Sequence, residues 1–336
     1  MKFLVTGGAG FIGSCFVRKA IKEGKQVTNI DKLTYSGNLN NLKEIAGNNN
    51  YQFVHADICE TEKIQKLVKD AEIIVHFAAE SHVTRSETDP DLFYRTNLEG
   101  TRALLECATT AKNLKKFIHI STDEVYGSTS SGAFREEDKL KGDSQASSAY
   151  SKSKSLADDL ALSYSDKVSI VVARPTNNFG PYQYPEKALP RWVIRLIENK
   201  KIPVWGTGEN VRDWLYIKDT VRAIDLLIEK GEVGEAYNIA ANNKPEIRNI
   251  DLANWFVDYF NLDSSYIQFV PDPRPHHDLR YSLNTDKIEQ LGFKPSKNSK
   301  QLILETAKWY VKNREWWQPL IHEAEKIYSD IKDVKR

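Results

Sequence analysis

The sequence predicts an α/β fold: a doubly wound parallel sheet with a smaller C-terminal α/β lobe. Three observations carry this. Short apolar runs alternate with helical stretches over the first half of the chain, the pattern of parallel strands joined by crossover helices. A glycine-rich turn connects the first strand directly to the first helix. After Arg174-Pro175 the alternation fades into a stretch rich in proline and aromatic residues, 177–190, which reads as loop before a helix.

The elements follow in order. Residues 2–6 (KFLVT) read as a buried strand, and 11–23 as a helix with Ile12, Phe16, Val17 and Ala20 on one side. Further strands are expected at 26–30, 51–55, 73–78, 116–121 and 169–173, with helical segments between them. Residues 219–230 read as a helix and 236–240 as one more strand, so the later chain is expected to cross between lobes. The expected division is 1–177 with 211–240 for the sheet domain, and 178–210 with 241–336 for the smaller lobe. Trp309, Trp316 and Trp317 in the tail read as helical packing.

Composition narrows the class. The chain has 336 residues, 40% of them hydrophobic, enough for one large core with a lobe built onto it. Lys plus Arg number 47 against 46 Asp plus Glu, so the net charge of +1 offers no field to attract nucleic acid. Cys15, Cys59 and Cys107 are too few and too widely spaced for a disulfide framework or a paired-cysteine zinc site. The opening MKFLVTGG lacks the pattern of a signal peptide, and no long apolar run suggests a membrane span. No metal, nucleic acid or membrane partner is expected, and the location expected is cytoplasmic.

The turn Thr6-Gly7-Gly8-Ala9-Gly10-Phe11-Ile12-Gly13 follows a strand and opens a helix, the setting of a Rossmann-type dinucleotide site. Gly7 and Gly10 permit a tight turn and close approach of backbone to pyrophosphate, and Gly13 lets the helix pack on the sheet. The phosphates belong at the helix N-terminus, where free N–H groups and the dipole favour negative charge. Asp31 lies about 20 residues beyond the glycines, where an acidic residue meets the ribose hydroxyls and repels a 2′-phosphate. NAD is therefore expected over NADP. Asp57-Ile58, past the third strand, stands where adenine is expected, although an Asp there also serves as a cap.

Tyr150 and Lys154 have the i, i+4 spacing that puts both side chains on one helix face. A cation beside a phenol favours the phenolate, so Tyr150 is expected at a lowered pKa, ready to take a proton from a substrate hydroxyl. Lys154 is also placed to hold the nicotinamide ribose. Ser121-Thr122-Asp123-Glu124-Val125-Tyr126-Gly127 follows the strand at 116–121, at the sheet edge where doubly wound folds bind ligands.

The ordered set TGGAGFIG, DKLTYSGN, AAESHV, STDEVYG, YSKSK, NNFGPYQYPEK and RDWLY closely resembles the dTDP-glucose 4,6-dehydratases, extended short-chain dehydrogenases of the NAD-dependent epimerase/dehydratase family. The similarity runs to about residue 295, and STDEVYG is its most discriminating part. The resemblance implies that Tyr150 deprotonates the C4 hydroxyl as hydride passes to NAD. Glu124 then removes the C5 proton, acidified by the new C4 carbonyl, and protonated Asp123 gives a proton to the departing C6 hydroxyl. Hydride returns to C6 and a proton to C5, leaving a 4-keto-6-deoxy sugar and NAD, with Thr122 orienting the sugar near C4. Lys32, Thr34, Ala79 and Asn177 join the cofactor site by the same resemblance. Ser81, His82, Asn178, Lys187, Arg212, Asn243, Arg274, His277 and Tyr281 join the substrate site. Arg212 matches a diphosphate ligand, for which a guanidinium fork is suited.

Thr84, Phe179 and His276 depart from the family pattern, where Asp, Tyr and Gly are usual. None is a proposed catalytic group, but His276 leaves the base, thymine or uracil, open. UDP-glucose 4,6-dehydratase, nucleotide-sugar 4-epimerase and UDP-glucuronate decarboxylase are alternatives on one scaffold. An epimerase needs no acid to expel water, so the Asp-Glu pair favours dehydration. A non-catalytic NAD-binding regulator would have no reason to keep these groups together. The helices expected at 98–112 and 150–164 carry Leu104, Leu105, Leu156 and Leu160, and the resemblance implies a homodimer through them, although the same leucines suit packing on the sheet.

Overall fold

The computed structural model describes residues 1–141, 148–272 and 278–329. Seven strands form the central sheet: β1 Lys2–Thr6, β2 Gln26–Asp31, β3 Tyr51–His55, β4 Ile73–His76, β5 Lys116–Ile120, β6 Ile170–Pro175 and β7 Glu235–Ile239. They lie in the order β7-β6-β5-β4-β1-β2-β3, all parallel. Strand β1 shows why such a sheet is visible in sequence. Leu4 faces one side and Phe3 and Val5 the other, and all three are buried. A strand covered on both faces reads as a continuous apolar run.

Two helical layers provide the cover. Helix α1 (Phe11–Lys22) sets Phe16 and Val17 against Phe3 and Val5. On the opposite face, helices α2 (Thr61–Val68) and α3 (Gly100–Ala108) bring Ile64, Leu104 and Leu105 against Leu4 and Phe117. Helix α4 (Ala149–Ser163) joins that layer through Ala161.

The later chain builds a second apolar core. Helix α5 (Ala188–Ile197) contributes Leu189, Trp192 and Val193, and helix α6 (Ile217–Lys230) returns to the sheet with Val221, Ile224 and Leu227. Helices α7 (Asn249–Tyr259) and α8 (Ser299–Lys312) supply Phe256 and Tyr310 to the second core, before helix α9 (Ile321–Ser329). Ile288 and Phe293, although late in the chain, pack in the first core. Trp317 is fully buried in the second, while the rings of Trp309 and Trp316 lie 4.7 and 5.5 Å from that of Tyr182. The Trp316 indole N–H donates to Asn41 Oδ1 at 2.9 Å, and the Asn41 amide donates to the Ala9 carbonyl of the glycine turn at 2.9 Å.

One expectation is corrected and one choice is made. The helix expected at 98–112 ends at Ala108, where the hydroxyls of Thr109 and Thr110 bond back to the carbonyls of Glu106 and Cys107, each at 2.7 Å. Leu104 and Leu105, for which a face between subunits and packing on the sheet were both open, take the second: they have no exposed surface and lie in the chain's own core. Leu156, by contrast, is 36% exposed. Among the described residues no helix is long and apolar enough to cross a membrane, and no cluster of His, Cys, Asp or Glu could hold a metal ion.

Candidate active site

The strand order reverses about β1, whose neighbours are β2 and β4, and ligands of doubly wound folds bind at the carboxyl ends of the strands at that point. A cavity of about 300 Å³ opens there. Every residue expected to hold the dinucleotide lines it: Gly7, Gly10, Phe11, Ile12, Gly13, Asp31, Lys32, Thr34, Asp57, Ile58, Ala79, Tyr150, Lys154 and Asn177.

Local geometry explains the glycines and fits NAD. Gly7 has φ +71°, and a Cβ there would stand 2.6 Å from the Ala78 nitrogen. A Cβ on Gly13 would stand 2.3 Å from the Gly7 carbonyl oxygen, so the turn closes onto the helix only without one. No side chain caps helix α1 at Gly10, which leaves its first N–H groups for an anion. Asp31 is held by the Ala9 N–H at 2.9 Å and the Leu33 N–H at 2.8 Å, one to each carboxylate oxygen. Burial nevertheless raises its pKa above the ordinary value. Asp57 accepts the Cys59 N–H at 3.0 Å and pairs with Lys32 at 2.8 Å. Burial works against its charge, but these two contacts hold its pKa below the ordinary value. Ser121 Oγ and Asn177 Oδ1 are buried with no hydrogen-bond partner among the described residues, and both residues line the cavity. Glycine cradle, uncapped helix end, carboxylate and two unfilled polar atoms are what a dinucleotide requires.

The chemical groups lie on the same cavity wall. Beyond β5 a tight turn over Asp123–Val125 begins at Thr122, whose hydroxyl accepts the Glu124 N–H at 3.3 Å. Asp123 is buried and receives the Thr176 hydroxyl at 2.7 Å and the Thr122 hydroxyl at 3.1 Å. Burial pushes its pKa up to about 6, outweighing both hydrogen bonds. Tyr150 and Lys154 share a face of α4, as their spacing predicts. The Lys154 ammonium donates to the Ile120 carbonyl at 2.6 Å, and burial lowers its pKa to about 8.

The lowered pKa expected of Tyr150 is not found in the protein alone. Burial, and then the Glu124 carboxylate, raise it instead, against a hydrogen bond with Thr122. Desolvation of the phenolate and the carboxylates around it outweigh that hydrogen bond.

A second cavity of about 190 Å³ adjoins the first, and Ser81, Glu124, Asn177, Asn178, Glu186 and Lys187 line both. Of the expected substrate residues, Ser81, His82, Asn178, Lys187, Arg212 and Tyr281 line this second cavity. Lys187 donates to the Ser81 carbonyl at 2.8 Å, and the Asn178 amide to the Thr176 carbonyl at 2.8 Å. The Arg212 guanidinium donates to the Asp278 carbonyl at 2.9 Å and lies 4.5 Å from the centre of the Tyr281 ring. His82 is buried, and its Nδ1 accepts the Arg85 N–H at 3.4 Å.

Asn243 lines neither cavity; its amide donates to Asp213 at 2.6 Å and to the Trp214 carbonyl at 3.2 Å, bracing the segment that follows Arg212. Arg274, His276 and His277 lie outside the described residues. Thr84 and Phe179 are placed away from the reacting groups, Phe179 buried with its ring 5.5 Å from that of Tyr216. Sequence reasoning missed Thr176, Glu186, Trp205 and Tyr328, all of which line a cavity. Only Thr176 had a signal, its position just past the end of a predicted strand.

Known proteins agree with this geometry. A dTDP-glucose 4,6-dehydratase of Streptomyces niveus is 45% identical over 95% of this chain and 96% of its own. One of Salmonella typhimurium is 40% identical over 94% of each. The crystal structure of a dTDP-glucose 4,6-dehydratase from Streptomyces venezuelae with NAD bound superposes with a TM-score of 0.90, at 40% identity over 95% of this chain and all of that one. A UDP-glucuronic acid 4-epimerase of Bacillus cereus, also solved with NAD, gives a TM-score of 0.85 at 29% identity, over 94% of this chain and 100% of that one. The family described as "NAD dependent epimerase/dehydratase family" matches residues 3–240, and with that span added to the cavity and its groups, the chain belongs to this family.

Proposed function

We propose that the protein is an NAD-dependent dTDP-glucose 4,6-dehydratase, converting dTDP-glucose to dTDP-4-keto-6-deoxyglucose and water. The observation that carries the reading is the placing of Asp123 and Glu124. They stand beside Tyr150 and Lys154 on one cavity wall, with Glu124 shared by the second cavity. Oxidation at a sugar carbon needs only the Tyr-Lys pair, whereas expelling water also needs one group to take a proton and another to give one.

The glycine turn, Asp31, Asn177 and Lys154 hold NAD, which when bound supplies the hydride acceptor for C4 and the donor for C6. Tyr150, as the phenolate favoured by the Lys154 charge, takes the proton from the C4 hydroxyl and becomes neutral. The C4 carbonyl acidifies C5, and Glu124, reaching into both cavities, takes that proton. Asp123 gives its proton to the C6 hydroxyl, which leaves as water, and Glu124 returns its proton to C5 once C6 has been reduced; the Asp123 pKa near 6, against an ordinary value of 3.8, suits an acid. Thr122 orients the sugar, and Arg212, Lys187 and Asn178 bind the nucleotide portion. In this reading 1–177 with 211–240 form the cofactor domain and 178–210 with 241–336 the sugar-nucleotide lobe.

A homodimer and a cytoplasmic location complete the proposal. Exposed Leu156 on α4 supports the first, with light scattering as its check. Three free thiols, Cys15, Cys59 and Cys107, suit a reducing compartment.

The test is incubation with dTDP-glucose and, in parallel, UDP-glucose, following loss of water by mass spectrometry and the alkali-induced absorbance of the keto product. Turnover of dTDP-glucose that falls by about 10²- to 10⁴-fold in Glu124→Gln, with NAD binding intact, is expected. Better use of UDP-glucose would overturn the substrate, and a C4 epimer or carbon dioxide as product would overturn the reaction.

A further inference from the structure

Behind the catalytic helix lies a group of buried charges that the mechanism above does not use. Asp158 follows Lys154 by one helical turn on α4 and has no exposed surface. One of its oxygens accepts the Arg174 Nε–H at 2.9 Å, and the other lies 3.3 Å from His119 Nε2. Arg174, itself buried, also donates to the Tyr126 hydroxyl at 2.6 Å and to the Glu136 carbonyl at 3.1 Å. The groups come from several elements: His119 from β5, Arg174 from β6, and His76 from β4, its ring 5.4 Å from that of His119. The segment Tyr94–Glu99 packs on the other side of α4 through Asn97, which donates to Ser153 at 3.0 Å. Glu124 and Asp123 face Tyr150 from the turn after β5.

Burial penalises the neighbouring charges unequally. Both histidines are held below their ordinary pKa by burial first and by the nearby Lys154 charge, so both are neutral near pH 7. Lys154 and Arg174 are then two buried cations served by one buried carboxylate. An isolated charge at such depth is neutralised by a pKa shift unless an opposite charge stands beside it.

We propose that Asp158 is the positioning residue of the catalytic lysine: held by Arg174 and one helical turn from Lys154, it supplies the counter-charge that keeps the Lys154 ammonium charged and bonded to the Ile120 carbonyl. One carboxylate between two cations leaves one positive charge unmatched in the core. The group that matches it during turnover is the phenolate of Tyr150, which makes Asp158 an indirect control on that base. Asp158 touches neither cavity, so it reaches the reacting groups by its charge alone, which favours the Lys154 ammonium and disfavours the Tyr150 phenolate.

The inference rests on the role given to Lys154 above, and its test is independent of turnover. The rate at which Lys154 is acetylated by acetic anhydride, read by peptide mass spectrometry against pH, reports the fraction of neutral amine. In the wild-type protein the midpoint is expected near 8. Losing an opposite charge at close range lowers a cation's pKa by about 1 to 3 units, so Asp158→Asn is expected to move the midpoint down by that amount. An unchanged midpoint in Asp158→Asn overturns the proposal. If that variant does not fold, the wild-type midpoint decides. An uncompensated buried lysine titrates at about 5 to 6 and an unburied one near its ordinary value of about 10.4; either result overturns the proposal, and a midpoint near 8 supports it. Absence of dehydration with a shifted midpoint would sink the proposed reaction and leave this inference standing.

Discussion

Replacing Thr176 with Val removes the shorter of the two hydrogen bonds to Asp123, the 2.7 Å bond to Oδ2, while nearly keeping shape. That bond opposes burial by favouring the carboxylate, so its loss raises the pKa further. A hydrogen bond to a charged group is worth about 1.5 to 3 kcal/mol, and one pKa unit is about 1.4 kcal/mol, so the shift is about 1 to 2 units. From a starting value of about 6, Asp123 reaches about 7 to 8. A general acid works only while protonated, so its step is lost as pH rises through its pKa. At pH 8 the protonated fraction is about 1% in the wild type and about 10 to 50% in Thr176→Val. The assay is kcat for dehydration at saturating dTDP-glucose across pH, with Thr176→Ser as the control that keeps the hydroxyl. The alkaline limb is expected to move upward in Val and to stay in Ser. A limb that stays put in Val, or moves downward, refutes the assignment of Asp123 as the acid.

The same carboxyl makes a prediction about stability. Its folded pKa, about 6, lies above the ordinary 3.8, so its contribution is complete below pH 3.8 and lost as pH rises through 6. The penalty at higher pH is about 3 kcal/mol at most, and Asp123→Asn, which does not titrate, escapes it. Urea unfolding is expected to find that variant more stable than wild type by about 1 to 3 kcal/mol at pH 8 and little different at pH 4. Gly13→Ala drives a methyl to within 2.3 Å of the Gly7 carbonyl, and calorimetry is expected to show NAD affinity reduced by tenfold or more, about 1.4 kcal/mol. Arg212→Met removes charged hydrogen bonds worth about 1.5 to 3 kcal/mol each, which predicts a KM for dTDP-glucose raised about 10- to 150-fold with kcat little changed, read by steady-state kinetics.

What the sequence made legible was local. The glycine turn, Asp31 and the Tyr150-Lys154 pair each depend on neighbours within one βα unit or one helical turn, and the cavity collects all of them. The carboxylate pair was legible because it follows a strand end. Asp158 was not, because its partners His119 and Arg174 come from two other strands and no spacing connects them. Leu104 and Leu105 show the opposite difficulty, since an apolar helix face does not say whether it meets its own sheet or another chain. The sign of the Tyr150 shift was misread for a related reason. The cation beside it is visible in the sequence, and the depth of its burial is not.

The bond from Trp316 to Asn41, and from Asn41 to the carbonyl of Ala9, ties a late residue to the turn that cradles the pyrophosphate. Proteins are synthesised from the N-terminus, so the glycine turn leaves the ribosome long before the tryptophan that braces it. A nascent chain therefore carries the phosphate cradle without its final strut for nearly the whole of translation. Until that strut is in place the turn is expected to be less firmly held. The bond thereby couples the packing of the second apolar core to the turn that receives the dinucleotide.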